Sequence, residues 1–234
     1  MEYKVNILAA GKGTRMADFC KYYNKVLIPI QGKPTICHII EKFPEHIEIV
    51  IAVGYMKEQL INFLKTAYPN RKLTFVDVGK FEGPGTGPGF SIFQCRHNLQ
   101  CPFVHIAGDT LVRGEIPTPE TDWLGVAPVS DTERFCSVKI DENKKVFRIN
   151  DKMETDNKHA YIGLLGVKSY KDFWKALGEN QKEIAGEIQI SNGINALYEK
   201  GLFTKEFTWF DTGTPPSYEY ACKNYPHGVS YQGE

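Results

Sequence analysis

The chain has 234 residues, 42% of them hydrophobic, which is near the upper end for one α/β domain and enough to bury a sizeable core. Its 28 Lys plus Arg balance 28 Asp plus Glu, so no global field favours nucleic acid or an anionic membrane, and any anion site must be local. No run approaches the roughly 20 apolar residues that span a bilayer, the opening Met1-Glu2-Tyr3-Lys4 carries no signal-peptide pattern, and the six cysteines form no Cys-x-x-Cys pair or zinc spacing. A cytoplasmic protein with reduced thiols is expected.

Val5 to Ala9 is a short apolar run suited to a buried strand, and it stops at Ala10-Gly11, where the chain must turn. Gly11 and Gly13 let a ligand approach the main chain, and successive amide N–H groups there can surround an anion. Lys12 and Arg15 add positive charge, so the loop is a candidate phosphate cradle. Its spacing is neither of the two common phosphate loops. Met16 stands where the dinucleotide fingerprint needs its third Gly, and Gly11-Lys12 is followed by Gly13 where the P-loop needs Ser or Thr.

The apolar residues of Thr35 to Phe43 recur at helical spacing behind Pro34. Ile47 to Val53 predicts a second strand, Met56 to Ala67 an amphipathic helix, and Lys72 to Val78 a third strand. This alternation predicts an α/β fold with a mostly parallel sheet covered on both faces, whose ligands bind beyond the C-terminal strand ends. Gly79 to Gly89 is rich in Gly and Pro and reads as a loop; Phe90 to Leu99 predicts a helix. Phe103 to Ala107 predicts a fourth strand, ending at Asp109, which either caps a turn or points into the same crevice as the first loop.

From Asp122 the pattern changes. Strand-like runs at Trp123 to Val129, Cys136 to Ile140, Val146 to Asn150 and Tyr161 to Val167 predict a small antiparallel addition. Lys171 to Leu177 and Glu187 to Tyr198 read as helices. The aromatic run from Phe207 predicts a strand ending at Asp211, with Thr214 and Pro215 as N-cap and first-turn residue of a helix through Cys222.

Leu8-Ala-Ala-Gly-Lys-Gly-Thr-Arg-Met16, followed by Lys25-x-Leu27-x-Pro29, resembles the signature of the nucleotidylyltransferases that make sugar nucleotides and CDP-linked metabolites. Asn24 departs from it, standing where many members have Pro. The resemblance implies a Rossmann-like, GT-A-like nucleotidyltransferase fold in one domain, with a nucleotide-binding half to about residue 114 and an acceptor-binding half from about 115. It also implies Arg15 and Lys25 as catalytic residues, and Leu8, Ala9, Ala10, Gly11, Gly13 and Thr14 as nucleotide-binding residues. Gly85 and Thr86 correspond to a pair that packs on the base, and Asp109 and Asp211 to the carboxylates that hold Mg²⁺. Asp151-Lys152 sits at the place of a Glu-Lys pair whose Lys meets the acceptor phosphate, and Gly163 and Glu187 match further acceptor-side positions.

The block Asp77 to Cys95 resembles the cytidylyltransferases of bacterial capsule phosphoramidate biosynthesis, which couple CTP to L-glutamine phosphate. The expected partners are therefore CTP or another nucleoside triphosphate and a phosphorylated small molecule, without nucleic acid or membrane; a homodimer is left open. A sugar-1-phosphate nucleotidylyltransferase using CTP, GTP or UTP is the alternative. The lack of hexapeptide repeats argues against the bifunctional acetyltransferase members. Leu111, where an Asp-x-Asp motif would need its second acid, argues against a glycosyltransferase, and the presence of both Asp109 and Asp211 against a non-catalytic nucleotide binder.

Overall fold

The computed structural model of the protein describes residues 1–226 apart from residue 199. In chain order, β1 (Lys4–Ala9) leads through α1 (Ala17–Cys20) and the hairpin of β2 (Pro29–Ile30) and β3 (Lys33–Pro34) to α2 (Thr35–Ile40) and β4 (Ile49–Val53). Then come α3 (Lys57–Ala67), β5 (Leu73–Asp77), α4 (Pro88–Gln94), β6 (Phe103–Ala107) and β7 (Thr110–Arg113). The later half adds β8 (Trp123–Pro128), β9 (Cys136–Ile140), β10 (Val146–Asp151), β11 (His159–Val167) and α5 (Tyr170–Glu179). It closes with the hairpin β12 (Glu183–Ile184) and β13 (Glu187–Ile188), α6 (Ser191–Tyr198), β14 (Phe203–Glu206), β15 (Thr208–Asp211) and α7 (Pro215–Asn224).

One nine-stranded sheet runs β10-β9-β11-β6-β1-β4-β5, with β8 paired to β11 and β14 to β8. The strands β6, β1, β4 and β5 are parallel, and β11 joins them antiparallel along β6, so the sheet is continuous through both halves of the chain. Side chains alternate across a strand, and the core divides accordingly. Ile49, Ile51 and Val53 of β4 pack with α2 and α3 residues Ile36, Ile40, Leu60 and Leu64. Val50 and Ala52 pack on the other face with Ile92, Phe173, Leu177 and Ile194 from α4, α5 and α6.

The structure corrects the expected helix from Glu187 to Tyr198. Ala185 and Gly186 both adopt positive φ, 53° and 79°, which makes a tight hairpin turn, so Glu187 and Ile188 pair with β12 and the helix starts only at Ser191. Polar–apolar alternation in Glu187-Ile-Gln-Ile190 was the period-2 signal for this. The expected helix from Phe90 to Leu99 starts at Pro88 and tightens into a 3₁₀ turn over Cys95–Asn98. The short strands β7 and β14 had no separate sequence signal, because their partners lie far along the chain.

No helix among the described residues is long and apolar enough to cross a membrane. All six cysteines are free thiols.

The centre of the sheet contains a buried polar pair. His105 on β6 lies opposite Asn6 on β1 and donates from Nδ1 to Asn6 Oδ1 at 2.8 Å, while Asn6 Nδ2 donates to the Val50 carbonyl at 3.2 Å. His105 Nε2 is buried with no partner among the described residues, and burial lowers the imidazole pKa to about 3. The unfolded imidazole, at about 6.5, binds a proton that the folded one refuses, so stability should fall as pH drops from about 6.5 toward 3. In the double variant Asn6→Val/His105→Leu this component disappears. Urea midpoints measured against pH test it, and an unchanged acid slope in the double variant would refute it.

Candidate active site

The mouth of the phosphate-cradle loop is held by three later parts of the chain. The carbonyls of Leu8, Ala9 and Ala10 accept from Gly108 N (2.9 Å), Asn24 Nδ2 (3.1 Å) and Tyr55 N (2.9 Å). Beyond them Gly11, Lys12, Thr14 and Arg15 are exposed. Gly13 has φ +69°, and a Cβ there would sit 2.8 Å from Cys20 Sγ and 3.2 Å from Lys25 Cβ, so glycine lets the Lys25 stem pack on the loop. Lys12 Nζ reaches 3.1 Å to Glu82 Oε2, which links this loop to the Gly-rich segment after β5.

Asp109 follows β6 directly, and Asp211 ends β15 about a hundred residues later. The β7–β15 ladder places Asp211 opposite Thr110, and Thr212 donates from both its backbone N and its hydroxyl to the Asp109 carbonyl, at 2.9 and 3.1 Å. A Cβ built on Gly213 would lie 2.8 Å from Asp211 Oδ1 and 3.4 Å from Asp109 Oδ2, so both carboxylates border one point in space. Lys25 Nζ forms an ion pair with Asp109 Oδ2 at 2.5 Å.

The two acids differ in character. Burial pushes the Asp109 carboxyl up, but the charges of Lys25 and Arg15 overcome it and hold the group below its ordinary pKa. Asp211 is raised, first by burial and then by the negative charge of Asp109, against the opposing hydrogen bonds from the Ser217 hydroxyl and Gly213 N, both 2.9 Å. Thr214 and Ser217 form the capping box of α7, which ties that helix start to Asp211. The two carboxylates are hard oxygen donors bordering one point, with Lys25 paired to Asp109. Such a set fits Mg²⁺, whose other positions are commonly filled by phosphate and water.

Gly85 (φ +74°) and Thr86 sit in the loop before α4. Thr86 is buried; its hydroxyl donates to the Gly83 carbonyl at 2.7 Å and its carbonyl accepts from Ile188 N at 2.8 Å. Its side chain therefore shapes the loop, as do its own N–H, which donates to the Gly83 carbonyl at 3.3 Å, and the Pro84 carbonyl, which accepts from Lys80 Nζ at 2.6 Å. Lys152 and Glu187, expected on the acceptor side, pair at 3.3 Å, and a Cβ on Gly87 would lie 2.8 Å from Glu187 Cβ, so this pair adjoins the same loop. Gly163 (φ +76°) lies in the irregular stretch of β11, where a Cβ would lie 2.8 Å from Ala107 Cβ and 3.1 Å from Thr110 Oγ1, close behind Asp109.

The structure adds residues that the sequence reading missed. A cavity of about 480 Å³ borders Asp211 and is walled by Arg134, Phe135, Trp209, Pro216, Ser217 and Tyr220. Trp209 had a signal, since it lies two residues before Asp211 on one strand and shares its face. Arg134 and Phe135 had none. Their segment is placed by a hydrogen bond from Lys152 N to the Phe135 carbonyl at 3.0 Å.

Residues 5–114 match the family of MobA-like NTP transferase domains. That match contains the glycine loop, Lys25 and Asp109. Over 220 residues the chain is 29% identical to the bifunctional protein GlmU of Methanococcus vannielii, covering 89% of this chain and 51% of that protein. The chain thus spans about half the length of the curated relatives it matches. Among solved structures, a putative glucose-1-phosphate thymidylyltransferase from Bacillus anthracis superposes with a TM-score of 0.78 at 24% identity, covering 99% of both chains. CTP:phosphocholine cytidylyltransferase from Streptococcus pneumoniae gives 0.76 at 19%, covering 95% of this chain and 99% of that one. The fold is accordingly the Rossmann-like nucleotidyltransferase fold, with helices around a mixed sheet whose centre is parallel.

Proposed function

We propose that the protein is a nucleotidylyltransferase that moves a nucleoside monophosphate from a nucleoside triphosphate to a phosphorylated small molecule. The observation that carries this reading is the convergence of Lys25, Asp109 and Asp211 at the end of β1, beside a basic glycine loop. An oxygen of the acceptor phosphate attacks the α-phosphorus, the bond to the bridging oxygen of the β-phosphate breaks, and pyrophosphate leaves. The attacking oxygen is already ionised, so the protein needs no nucleophile of its own.

Lys25 holds the α-phosphate and the incoming oxygen, and Arg15 balances the charge that accumulates on the departing pyrophosphate. The backbone amides from Gly11 to Thr14 surround the phosphates, and the main chain at Gly85 and Thr86 lies against the base. Lys152, Gly163 and Glu187 belong to the acceptor side. Asp109 and Asp211 would hold Mg²⁺, which when bound offsets phosphate charge and favours in-line geometry.

CTP and L-glutamine phosphate are the substrates favoured by the Gly83-Pro-Gly-Thr-Gly-Pro-Gly89 block. Transfer to a sugar 1-phosphate is the second reading, supported by the likeness to the putative thymidylyltransferase above and to a probable mannose-1-phosphate guanylyltransferase 1 from Oryza sativa subsp. japonica, 26% identical over 236 residues. Pyrophosphate release is the test, with CTP, UTP, GTP and dTTP each set against L-glutamine phosphate, phosphocholine and hexose 1-phosphates. Release only with CTP and L-glutamine phosphate supports the first reading, release with a hexose 1-phosphate replaces it with the second, and no release with any pair overturns both.

A further inference from the structure

The cavity beside Asp211 has a composition that bears on which acceptor fits. Phe135 and Trp209 meet edge-to-face at 5.5 Å and 79°, and with Pro216 and Tyr220 they make its walls largely apolar. A polyhydroxylated ring needs several hydrogen-bonding side chains around it, and the two small hydroxyls of this lining are already engaged. The Ser217 hydroxyl donates to Asp211, and Ser217 and Thr214 satisfy one another in the capping box. A hydroxyl buried there without a partner would be destabilising, so this cavity suits a compact acceptor with an apolar middle.

Arg134 is the cation in this lining. Its guanidinium lies 5.4 Å from the centre of the Phe135 ring, and its pairing with Asp131 is loose, at 3.9 Å between half-exposed groups. Such a surface pair contributes little. A ligand carboxylate could take both arms of the guanidinium and displace Asp131.

We propose that Arg134 is a specificity-determining residue that binds a carboxylate at the far end of the phosphorylated acceptor, while Phe135 and Trp209 cover its apolar middle. This rests on the nucleotidyl-transfer reading and narrows it to phosphorylated carboxylic acids, amino acids included. The phosphate of such an acceptor lies at the Asp211 end and its carboxylate at the Arg134 end.

The test uses acceptors matched except for the carboxylate: L-glutamine phosphate against its decarboxylated analogue, and O-phosphoserine against phosphoethanolamine. Pyrophosphate release is followed with the full-length protein. We expect kcat/KM to be at least about 10-fold higher for the carboxylate-bearing member, through KM, as one charged hydrogen-bonded pair would give. Arg134→Met should abolish that difference and Arg134→Lys should restore part of it. A preference that survives in Arg134→Met, no preference in the parent protein, or better use of hexose 1-phosphates than of any carboxylate would each overturn the proposal while leaving nucleotidyl transfer intact. No pyrophosphate from any acceptor would overturn the transfer reading and this one together. Arg134 is half exposed, so its variants are expected to melt with the parent protein, which circular dichroism checks.

Discussion

Replacing Lys25 or Asp109 with alanine is expected to leave a folded protein whose turnover is reduced by about 10²-fold or more. Neither side chain is part of the apolar core. Lys25 packs its stem on Gly13 and ends at Asp109 Oδ2, and Asp109 sits at the strand end where β6 passes into β7. Removing Lys25 takes away the one ammonium paired with the acids and leaves two carboxylates facing each other. Removing Asp109 leaves the ammonium without its partner and the site with one carboxylate. The loss should therefore fall on kcat and be similar for every acceptor, since the proposed roles of both groups concern the transferred phosphate and not the rest of the acceptor. Steady-state pyrophosphate release, with circular dichroism as the control for folding, measures this, and near-parental turnover in both variants would remove these residues from the mechanism.

Asn24→Ala is expected to lower stability by about 2–4 kcal/mol and turnover with it. Asn24 is fully buried. Its Nδ2 donates to the Ala9 carbonyl at 3.1 Å and to the Tyr55 carbonyl at 2.8 Å, its Oδ1 accepts from Val26 N at 3.1 Å, and its backbone N donates to Gln59 Oε1 at 2.8 Å. The backbone has φ −62°, the value a proline ring would impose. Asn24 thus reproduces the geometry of the proline it replaces and adds bonds that clamp the end of β1 to the turn before Lys25. Alanine would strand the buried Ala9 carbonyl, the half-buried Tyr55 carbonyl and the Val26 N–H, and Lys25, the next residue, would lose its fixed starting point. Asn24→Pro loses the same side-chain clamp and also the N–H to Gln59, while its ring fixes φ, so its stability should fall close to that of alanine. Urea denaturation of the three proteins gives the order, and alanine equal to the parent would show that the clamp carries no weight.

The amino-acid pattern already specifies the alternation of β1, β4, β5 and β6 with helices, because buried parallel strands are continuous apolar runs and the helices between them keep a 3.6-residue period. It also determined the glycine loop, where Gly13 needs a positive φ and close contact with Lys25, and the start of α7, where Thr214 and Pro215 are adjacent capping signals. These are local properties, legible within a window of a few residues.

The tertiary structure alone decided what depends on distant pairings. Asp211 reaches Asp109 through the β7–β15 ladder, whose first strand was unrecognised as one; Asn24 works through Ala9, Tyr55 and Gln59; and Arg134 joins the Asp211 cavity from a loop without pattern. The hairpin at Ala185-Gly186 likewise draws Glu187 out of an expected helix and beside Lys152. Hydrophobic period and turn residues record where each backbone segment goes, but the distance between two charged side chains a hundred residues apart is set by strand register and packing, which no local pattern encodes.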